Sequence, residues 1–319
     1  MSTFESLEAR RELPPLALIA GPTTSGKSDL AVRLALALKA RGREAVVINA
    51  DSAQVYADLS VLSARPSTEE MHGIEHRLFG TWDGEVACSA ADWAAAARGV
   101  IAELHARDCV PILVGGTGLY LRTLLDGIAP IPAIEPAVRA QVRALPTPEA
   151  YAALQREDPA RAALLAPADS ARIARALEVM RSTGKSLADW QSELTGGIGE
   201  LVSLHPAILL PPRDWIYARC DLRFGRMLHT GAIEEVRTLL ARQLDPDLPV
   251  MRAIGVAEIA ALLGGTLTRE EAEARGAQAT RNYAKRQFTW LRNQSPPDWS
   301  RHEAQSFDPE TIFVSLLRV

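Results

Sequence analysis

Residues 21–28 read GPTTSGKS, the spacing G-x-x-x-x-G-K-[ST] of a loop that wraps phosphate. The glycines let backbone N–H groups converge on phosphate oxygens, and a helix beginning there turns its positive end toward them. Lys27 adds a point charge, and the Ser28 hydroxyl is a ligand of the type that holds Mg²⁺. Gly21, Pro22, Thr23, Thr24, Ser25 and Gly26 complete the cradle. Such a loop ordinarily holds a nucleotide, ATP above all, but its chemistry suits any diphosphate. A plain glycine-rich turn accounts for the glycines and not for Lys27 and Ser28 together.

Two more stretches carry chemistry. DSAQVY (51–56) follows a short apolar run. A carboxylate at the end of a second parallel strand lies near the phosphate loop, where it can bind Mg²⁺ or take a proton from an acceptor. Asp and Ser at such a place also simply cap helices, and the two readings stand level on local grounds. Ser52, Gln54 and Tyr56 add hydrogen-bonding and stacking groups suited to a base-reading pocket. GGTG (115–118) ends the run VPILV. An ordinary phosphate-loop hydrolase places an Asp there to hold water and Mg²⁺. Thr117 stands nearby instead, which points to a transferase that keeps water out.

The elements that must position these groups are legible around them. LALIA (16–20) is an apolar strand entering the loop, DLAVRLALALKARG (29–42) has helical periodicity, and AVVINA (45–50) is a strand ending at Asp51. They form one βαβ unit with parallel strands. AADWAAAARGVIAELHARD (90–108) reads as a helix and VPILVGGTG (110–118) as a buried strand running into a glycine loop. This alternation predicts an α/β fold, a parallel sheet flanked by helices with ligands at the strands' C-terminal ends. Beyond it, short helices broken by Pro, Gly and Asp replace β-branched runs. We read an inserted all-helical subdomain, dividing the chain into 1–128, 129–204 and 205–319. AILLPP (207–212) resumes strand character, and helices follow, including REEAEARGAQATRNYAKRQFTWLRNQ.

The formal net charge of −4 over 319 residues argues against indiscriminate nucleic-acid binding but leaves room for a local basic face. Of the 35 basic residues 31 are arginines, whose planar fork suits phosphate where they cluster; genomic base composition explains the bias equally well. ARIARALEVMR (171–181) puts Arg172 and Arg175 on one helical face and Ile173, Leu177 and Met180 on another. YAKRQFTWLR (283–292) interleaves Lys285, Arg286 and Arg292 with Tyr283, Phe288 and Trp290, a mixture that suits RNA backbone and unstacked bases. Taken singly, each is also the ordinary pattern of a solvated face beside a core stripe. Arg223 and Arg252 lie in polar-basic settings from which they can close over a diphosphate. Cys88, Cys109 and Cys220 are far apart and lack a C-x-x-C, which disfavours a disulfide framework or zinc site and fits a reducing compartment. The N-terminus, MSTFESLEARRELPP, has no signal-peptide core, and no run approaches ~18 apolar residues, so a cytoplasmic chain without a membrane span is expected.

Taken together, GPTTSGKS, INADSAQVY, HRL (76–78), SAADW, VGGTGLY, DGIAPIP, RIARALEV, TGKSL, RFGRML, RAIG and AKRQFTWLR resemble the tRNA dimethylallyltransferase family, in the family's order from about residue 16 to 293. The resemblance implies a P-loop NTPase-like core and transfer of a dimethylallyl group from its diphosphate to N6 of adenosine 37, in tRNAs reading codons that start with U. The alternatives are a small-molecule phosphate-loop kinase or adenylate prenyltransferase, and a non-catalytic RNA-binding module. By resemblance, the cradle stabilises the departing diphosphate with Mg²⁺ assisting. Asp51 is general base, Thr117 touches the bridging oxygen, and Lys27 and Arg223 bind the diphosphate. The partners implied are dimethylallyl diphosphate and the tRNA anticodon stem-loop, acted on by a monomer. RNA contacts fall to Asp51, Ser52, Ala53 and Gln54; to Thr117 and Arg139; to Ala171, Arg172, Ile173, Ala174 and Arg175; to the RAIGVA stretch with Arg252; and to Lys285, Arg286, Gln287, Thr289, Trp290 and Arg292.

The sequence departs from the family at several places. Thr24 stands where Ala is common, and Val256-Ala257 replaces Tyr-Arg at a proposed RNA contact. Arg65 in SARP replaces a Lys, and Cys88 stands where Tyr is usual. The C-terminal zinc finger of some relatives is not found in the sequence.

Overall fold

The computed structural model describes residues 13–318, so most of the polar N-terminal stretch lies outside the described residues. Strand β1 (Pro15–Ala20) is buried from Leu16 onward, as a strand covered on both faces must be. It enters the glycine loop, and α1 (Lys27–Lys39) follows with Leu30, Ala31, Leu34, Ala35 and Leu38 buried at helical spacing. β2 (Ala45–Asn49) and the two-residue β3 (His76–Arg77) come next. Helix α2 (Ala90–Ala106) opens on a capping box: the Ser89 hydroxyl accepts from the Asp92 N–H and the Asp92 carboxylate from the Ser89 N–H. β4 (Val110–Gly115) is buried throughout and leads into α3 (Gly118–Leu125).

Residues Leu125–Ile198 form a compact unit of their own. Its helices are α4 (Pro136–Arg143), α5 (Thr147–Glu157), α6 (Pro159–Ala162), α7 (Ser170–Thr183) and α8 (Leu187–Gln191). Their core gathers Ile134, Val142, Leu154, Leu165, Ile173 and Leu177. Asp169 caps α7 at one end, and Gly184, at φ 69°, ends it in the left-handed conformation that glycine tolerates. The unit begins and ends a few residues earlier than 129–204. Residues 199–204 belong with the sheet because β5 (Ser203–Leu209) starts four residues before AILLPP does.

After β5 come α9 (Arg213–His229), α10 (Ala232–Ala241), α11 (Val256–Leu263), the 26-residue α12 (Arg269–Gln294), β6 (Ser300–His302), α13 (Pro309–Ile312) and α14 (Val314–Leu317). A capping box between Thr268 and Glu271 starts α12, which packs along α9. The strands form one parallel sheet in the order β3-β2-β4-β1-β5-β6. β1 and β2 are thus parallel but not neighbours, because β4 pairs with both: Ile112 is opposite Ala17 on one side and Val47 on the other. Phe307, Phe313, Leu316 and Leu317, from the C-terminal segment, join the core that packs against α1. Because all strands run the same way, Gly21, Asp51 and Thr117 emerge along one edge of the sheet.

Candidate active site

The phosphate loop is shaped by its own backbone. Gly26 has φ 92° and Thr24 φ 65°, so two of its residues take the left-handed conformation. For Thr24 this is unusual, and the side chain is anchored: its Oγ1 donates to the Ile216 carbonyl (3.2 Å) and lies 3.6 Å from Cys220 Sγ, both on α9. Arg219, also on α9, donates to the Thr24 carbonyl (3.0 Å) while its guanidinium stacks over Trp215. Four residues on, Arg223 donates to the Thr23 hydroxyl (2.9 Å). Arg219, Arg223 and Arg226 follow at i, i+4 and i+7, so one stripe of α9 faces the loop.

Charge is concentrated where water is scarce. The Lys27 ammonium is buried, and loss of hydration lowers its pKa to about 8, with Arg223 pushing the same way and Asp51 opposing. Burial likewise lowers the Arg223 pKa, and Asp51 again opposes. Asp51 therefore acts on both the buried Lys27 and the half-buried Arg223, with Glu70 adding to it at Arg223. Asp51 is held by the chain around it: its N–H donates to Asn49 Oδ1 (2.8 Å), and its Oδ1 accepts from the Ala53 N–H (3.0 Å). Asn49 in turn donates to the carbonyls of Asp51 and Leu78, each at 3.0 Å. Asp51 therefore caps no helix: residues 52–55 form a turn, which Oδ1 closes. Oδ2 makes no hydrogen bond among the described residues, so one oxygen positions the side chain and the other is left for chemistry.

Two cavities meet at this point. One, of about 390 Å³, is lined by the loop from Thr23 to Asp29 with Glu70, Arg219, Leu222 and Arg226. The other, of about 290 Å³, is lined largely by Tyr56, Leu62, Cys88, Tyr120, Phe224, Met227, Pro249, Ile254 and Tyr283. Thr23, Asp51 and Arg223 line both. Tyr120 stacks on Trp93 (centroids 4.5 Å apart, 12° between planes), and its hydroxyl donates to Cys88 Sγ at 3.6 Å. The Tyr56 hydroxyl accepts from the Cys88 N–H (3.1 Å). Burial raises the pKa of Tyr56, Cys88 and Tyr120 alike, so this wall stays neutral.

The family model for IPP transferase matches residues 54–294, most of the chain. The chain belongs to the IPP transferase family. The tRNA dimethylallyltransferase of Erythrobacter litoralis is 66% identical over 307 residues, which cover 96% of this chain and 97% of that protein. That of Novosphingobium aromaticivorans is 65% identical over 88% of this chain and 99% of its own length. Among solved structures, the tRNA isopentenylpyrophosphate transferase of Bacillus halodurans superposes with a TM-score of 0.67 at 30% identity, covering 95% of this chain and 94% of that one. A eukaryotic dimethylallyltransferase acting on tRNA gives 0.74 at 27% identity, covering 87% of this chain and 70% of that one. The sheet is thus that of a P-loop NTPase-like fold.

Family membership does not give every residue the part that the sequence suggests. In the cradle, the Gly21 N–H already donates to the Gly115 carbonyl (3.2 Å), and Pro22, with no N–H, offers only its carbonyl, which accepts from Lys27 at 3.4 Å. The Thr24 side chain is turned into α9, leaving its backbone to the loop. Ser25 is buried and its hydroxyl has no partner, while Ser28 lines the larger cavity. Thr117 lines neither cavity among the described residues. Its Oγ1 accepts from the Ser52 N–H (3.0 Å), approaches the Ser52 hydroxyl (3.3 Å) and meets the Tyr283 hydroxyl, so it stands behind Ser52.

The proposed RNA contacts divide in the same way. Ser52, Ala53, Arg252 and Arg286 line the smaller cavity, and Arg252 is ion-paired with Asp247. Gln54 is buried and lines the larger cavity, and its amide donates to the carbonyls of Ser63 and Ala64 (3.1 and 3.0 Å). Ile173 is wholly buried in the helical unit's core, so it makes no surface contact. Around it Ala171 and Arg172 are exposed and Ala174 and Arg175 half-buried; Arg172 pairs with Asp169, Arg175 with Glu178, and Arg139 on α4 is exposed. Lys285, Thr289 and Arg292 are exposed on α12, Trp290 is half-buried against Gly118, and Gln287 is buried. Val256, the departure from the family pattern, is buried at the start of α11, and Ala257 beside it is exposed. Leu62, Phe224 and Met227 were not anticipated, nor Arg219 and Arg226; the arginine spacing on α9 was the available signal for the last two.

Proposed function

We propose that this chain transfers a dimethylallyl group from dimethylallyl diphosphate to N6 of adenosine 37 in tRNAs that read codons starting with U. The observation that carries the reading is the pair of adjoining cavities with Thr23, Asp51 and Arg223 in their common wall. The cationic cavity suits the diphosphate, and the aromatic cavity, with its neutral wall of Tyr56, Cys88 and Tyr120, suits a prenyl chain beside a base turned out of its stack. N6 attacks C1 of the donor, the C1–O bond breaks, and the electron pair leaves with the diphosphate. The N6 proton passes to Asp51 Oδ2. Lys27, Arg223 and the loop N–H groups meet the negative charge that grows on the leaving group.

Mg²⁺ fits this site as a partner of the diphosphate. Among the described residues no cluster of three or more His, Cys, Asp or Glu side chains is arranged to hold a metal alone. An ion that keeps several waters and is shared between one protein oxygen and substrate phosphates needs no such cluster. Ser28 would supply that oxygen. The ion would neutralise charge on the leaving diphosphate.

The partners are the tRNA anticodon stem-loop, met in part by the exposed side of α12, and the prenyl diphosphate. We place the protein in the cytoplasm as a monomer. Three buried cysteines without a disulfide, and the lack of any helix among the described residues long and apolar enough to cross a membrane, support that placement. A single-turnover assay with Mg²⁺, dimethylallyl diphosphate and either an A37-containing stem-loop or free AMP tests the function. Prenylated stem-loop and unmodified AMP are the expected products. Preferential prenylation of AMP, or no product on a competent stem-loop, refutes it.

A further inference from the structure

Helix α12 reaches the loops that carry the reacting groups through three residues spaced at i, i+4 and i+7. The Tyr283 hydroxyl meets Ser52 and Thr117, which joins the loops after β2 and β4. Gln287 Oε1 accepts from the Thr23 N–H at 2.7 Å. Trp290 lies on Gly118 so closely that a Cβ there would collide with its ring. Gly116 is constrained in the same way, since a Cβ on it would strike the Gln287 amide nitrogen. Two glycines of the GGTG loop are therefore small because α12 side chains fill their space. Gln287 is 5% exposed, and its amide nitrogen has no hydrogen-bond partner, so only the bond to Thr23 repays its burial. Lys285, Thr289 and Arg292 are exposed on the same turns, and Arg286, though exposed, lies over Tyr283 and lines the smaller cavity.

We infer that Gln287 is a positioning residue for the leaving group and not an RNA contact. The path is short. Gln287 fixes the Thr23 backbone at the entry of the phosphate loop, and the Thr23 hydroxyl receives the Arg223 guanidinium in the wall between the cavities. Removing the acceptor leaves the part-buried Thr23 N–H without its partner, frees Thr23 and lets Arg223 shift from the diphosphate. The helix thus has a basic outer side and an inner side that sets the geometry of the departing group. The inference rests on the diphosphate reading of the loop and deepens it.

The test uses the full chain with inorganic pyrophosphate and Mg²⁺ as one probe and an anticodon stem-loop as the other, each titrated alone by calorimetry. Gln287→Met keeps the volume and removes the acceptor; Gln287→Glu keeps an acceptor oxygen. For Gln287→Met, pyrophosphate affinity and kcat/KM for the prenyl donor should fall roughly 5- to 100-fold, with stem-loop affinity within twofold of the wild type. Gln287→Glu should recover part of the loss. Weaker stem-loop binding with intact pyrophosphate binding would make Gln287 an RNA contact and overturn the inference. Unchanged affinities would overturn it too, as would a lowered melting temperature with loss of both affinities in both variants. The pyrophosphate arm reads the loop without an acceptor, so a wild type that binds pyrophosphate but prenylates no RNA defeats the proposed function alone.

Discussion

The two cavities differ in what they do with burial. The larger one takes cations out of water: Lys27 and Arg223 are both pushed toward their neutral forms by lost hydration and held against that by Asp51. The smaller one sets beside Asp51, Arg223, Arg252 and Arg286 a wall of groups that have no charge to lose, with Tyr56, Cys88 and Tyr120 kept neutral. A diphosphate entering the first relieves an existing electrostatic cost, because its charge replaces the missing hydration of the cations. An apolar chain or a base entering the second gains chiefly from leaving water. One active site thus separates the charged half of a reaction from its uncharged half by a wall three residues wide, with the candidate base in that wall.

The largest effect should come from breaking the wall itself. Asp51→Asn retains an oxygen for the Ala53 N–H, so the turn at residues 51–53 should persist while the proton acceptor is lost. We expect the prenyl-transfer rate to fall roughly 10²- to 10⁴-fold while stem-loop binding stays near that of the wild type. A single-turnover rate within tenfold of the wild type would remove Asp51 from the role of base.

The next test acts on the charged side alone. Below its pKa of about 8 the Lys27 ammonium carries its charge, and above that value it loses it. Donor kcat/KM, which reports the free enzyme, should therefore hold steady below pH 8 and decline by up to about tenfold per pH unit above it. Bound diphosphate stabilises the protonated form, so the same limb in kcat should appear at higher pH. The sign for stability is opposite. A lysine whose folded pKa lies below the unfolded value near 10.4 leaves the unfolded state with more bound protons between those two values. Its contribution to stability therefore rises with pH across that window. A kcat/KM profile that stays flat to pH 9.5 would show that the Lys27 charge is not needed for donor capture.

Legibility in the sequence followed range along the chain. The phosphate loop, α1 and β4 were readable because glycine spacing, helical periodicity and an apolar run are local patterns. β5 was read four residues short because His205 and Pro206 interrupt the apolar run, although backbone pairing with β1 continues through them. The placement of β4 between β1 and β2 is a pairing choice that no local pattern encodes. In α12 the basic residues Lys285, Arg286 and Arg292 mark the exposed side. The inner stripe of Ala284, Gln287, Phe288 and Leu291 was equally regular, but a glutamine within it carried no sign of the Thr23 amide 264 residues away. Gly116 and Gly118 read in the sequence only as part of a glycine loop. Their actual cause is steric, and it lies in the same distant helix.

The smallest effect should come from the neutral side and sharpens the contrast most cleanly. Cys88 is 9% exposed, lines only the smaller cavity and receives a hydrogen bond from Tyr120 at 3.6 Å. Cys88→Ala removes a weak sulfur acceptor and a little packed volume, at a cost to stability of about 1 kcal/mol. Urea denaturation would measure that cost. Donor kcat/KM should change by roughly threefold or less, and pyrophosphate affinity should be unchanged, because nothing charged has moved. A tenfold loss of pyrophosphate affinity in this variant would mean that the cavities are coupled through more than their shared wall. The separation of charged from uncharged chemistry would then fail at its least polar point.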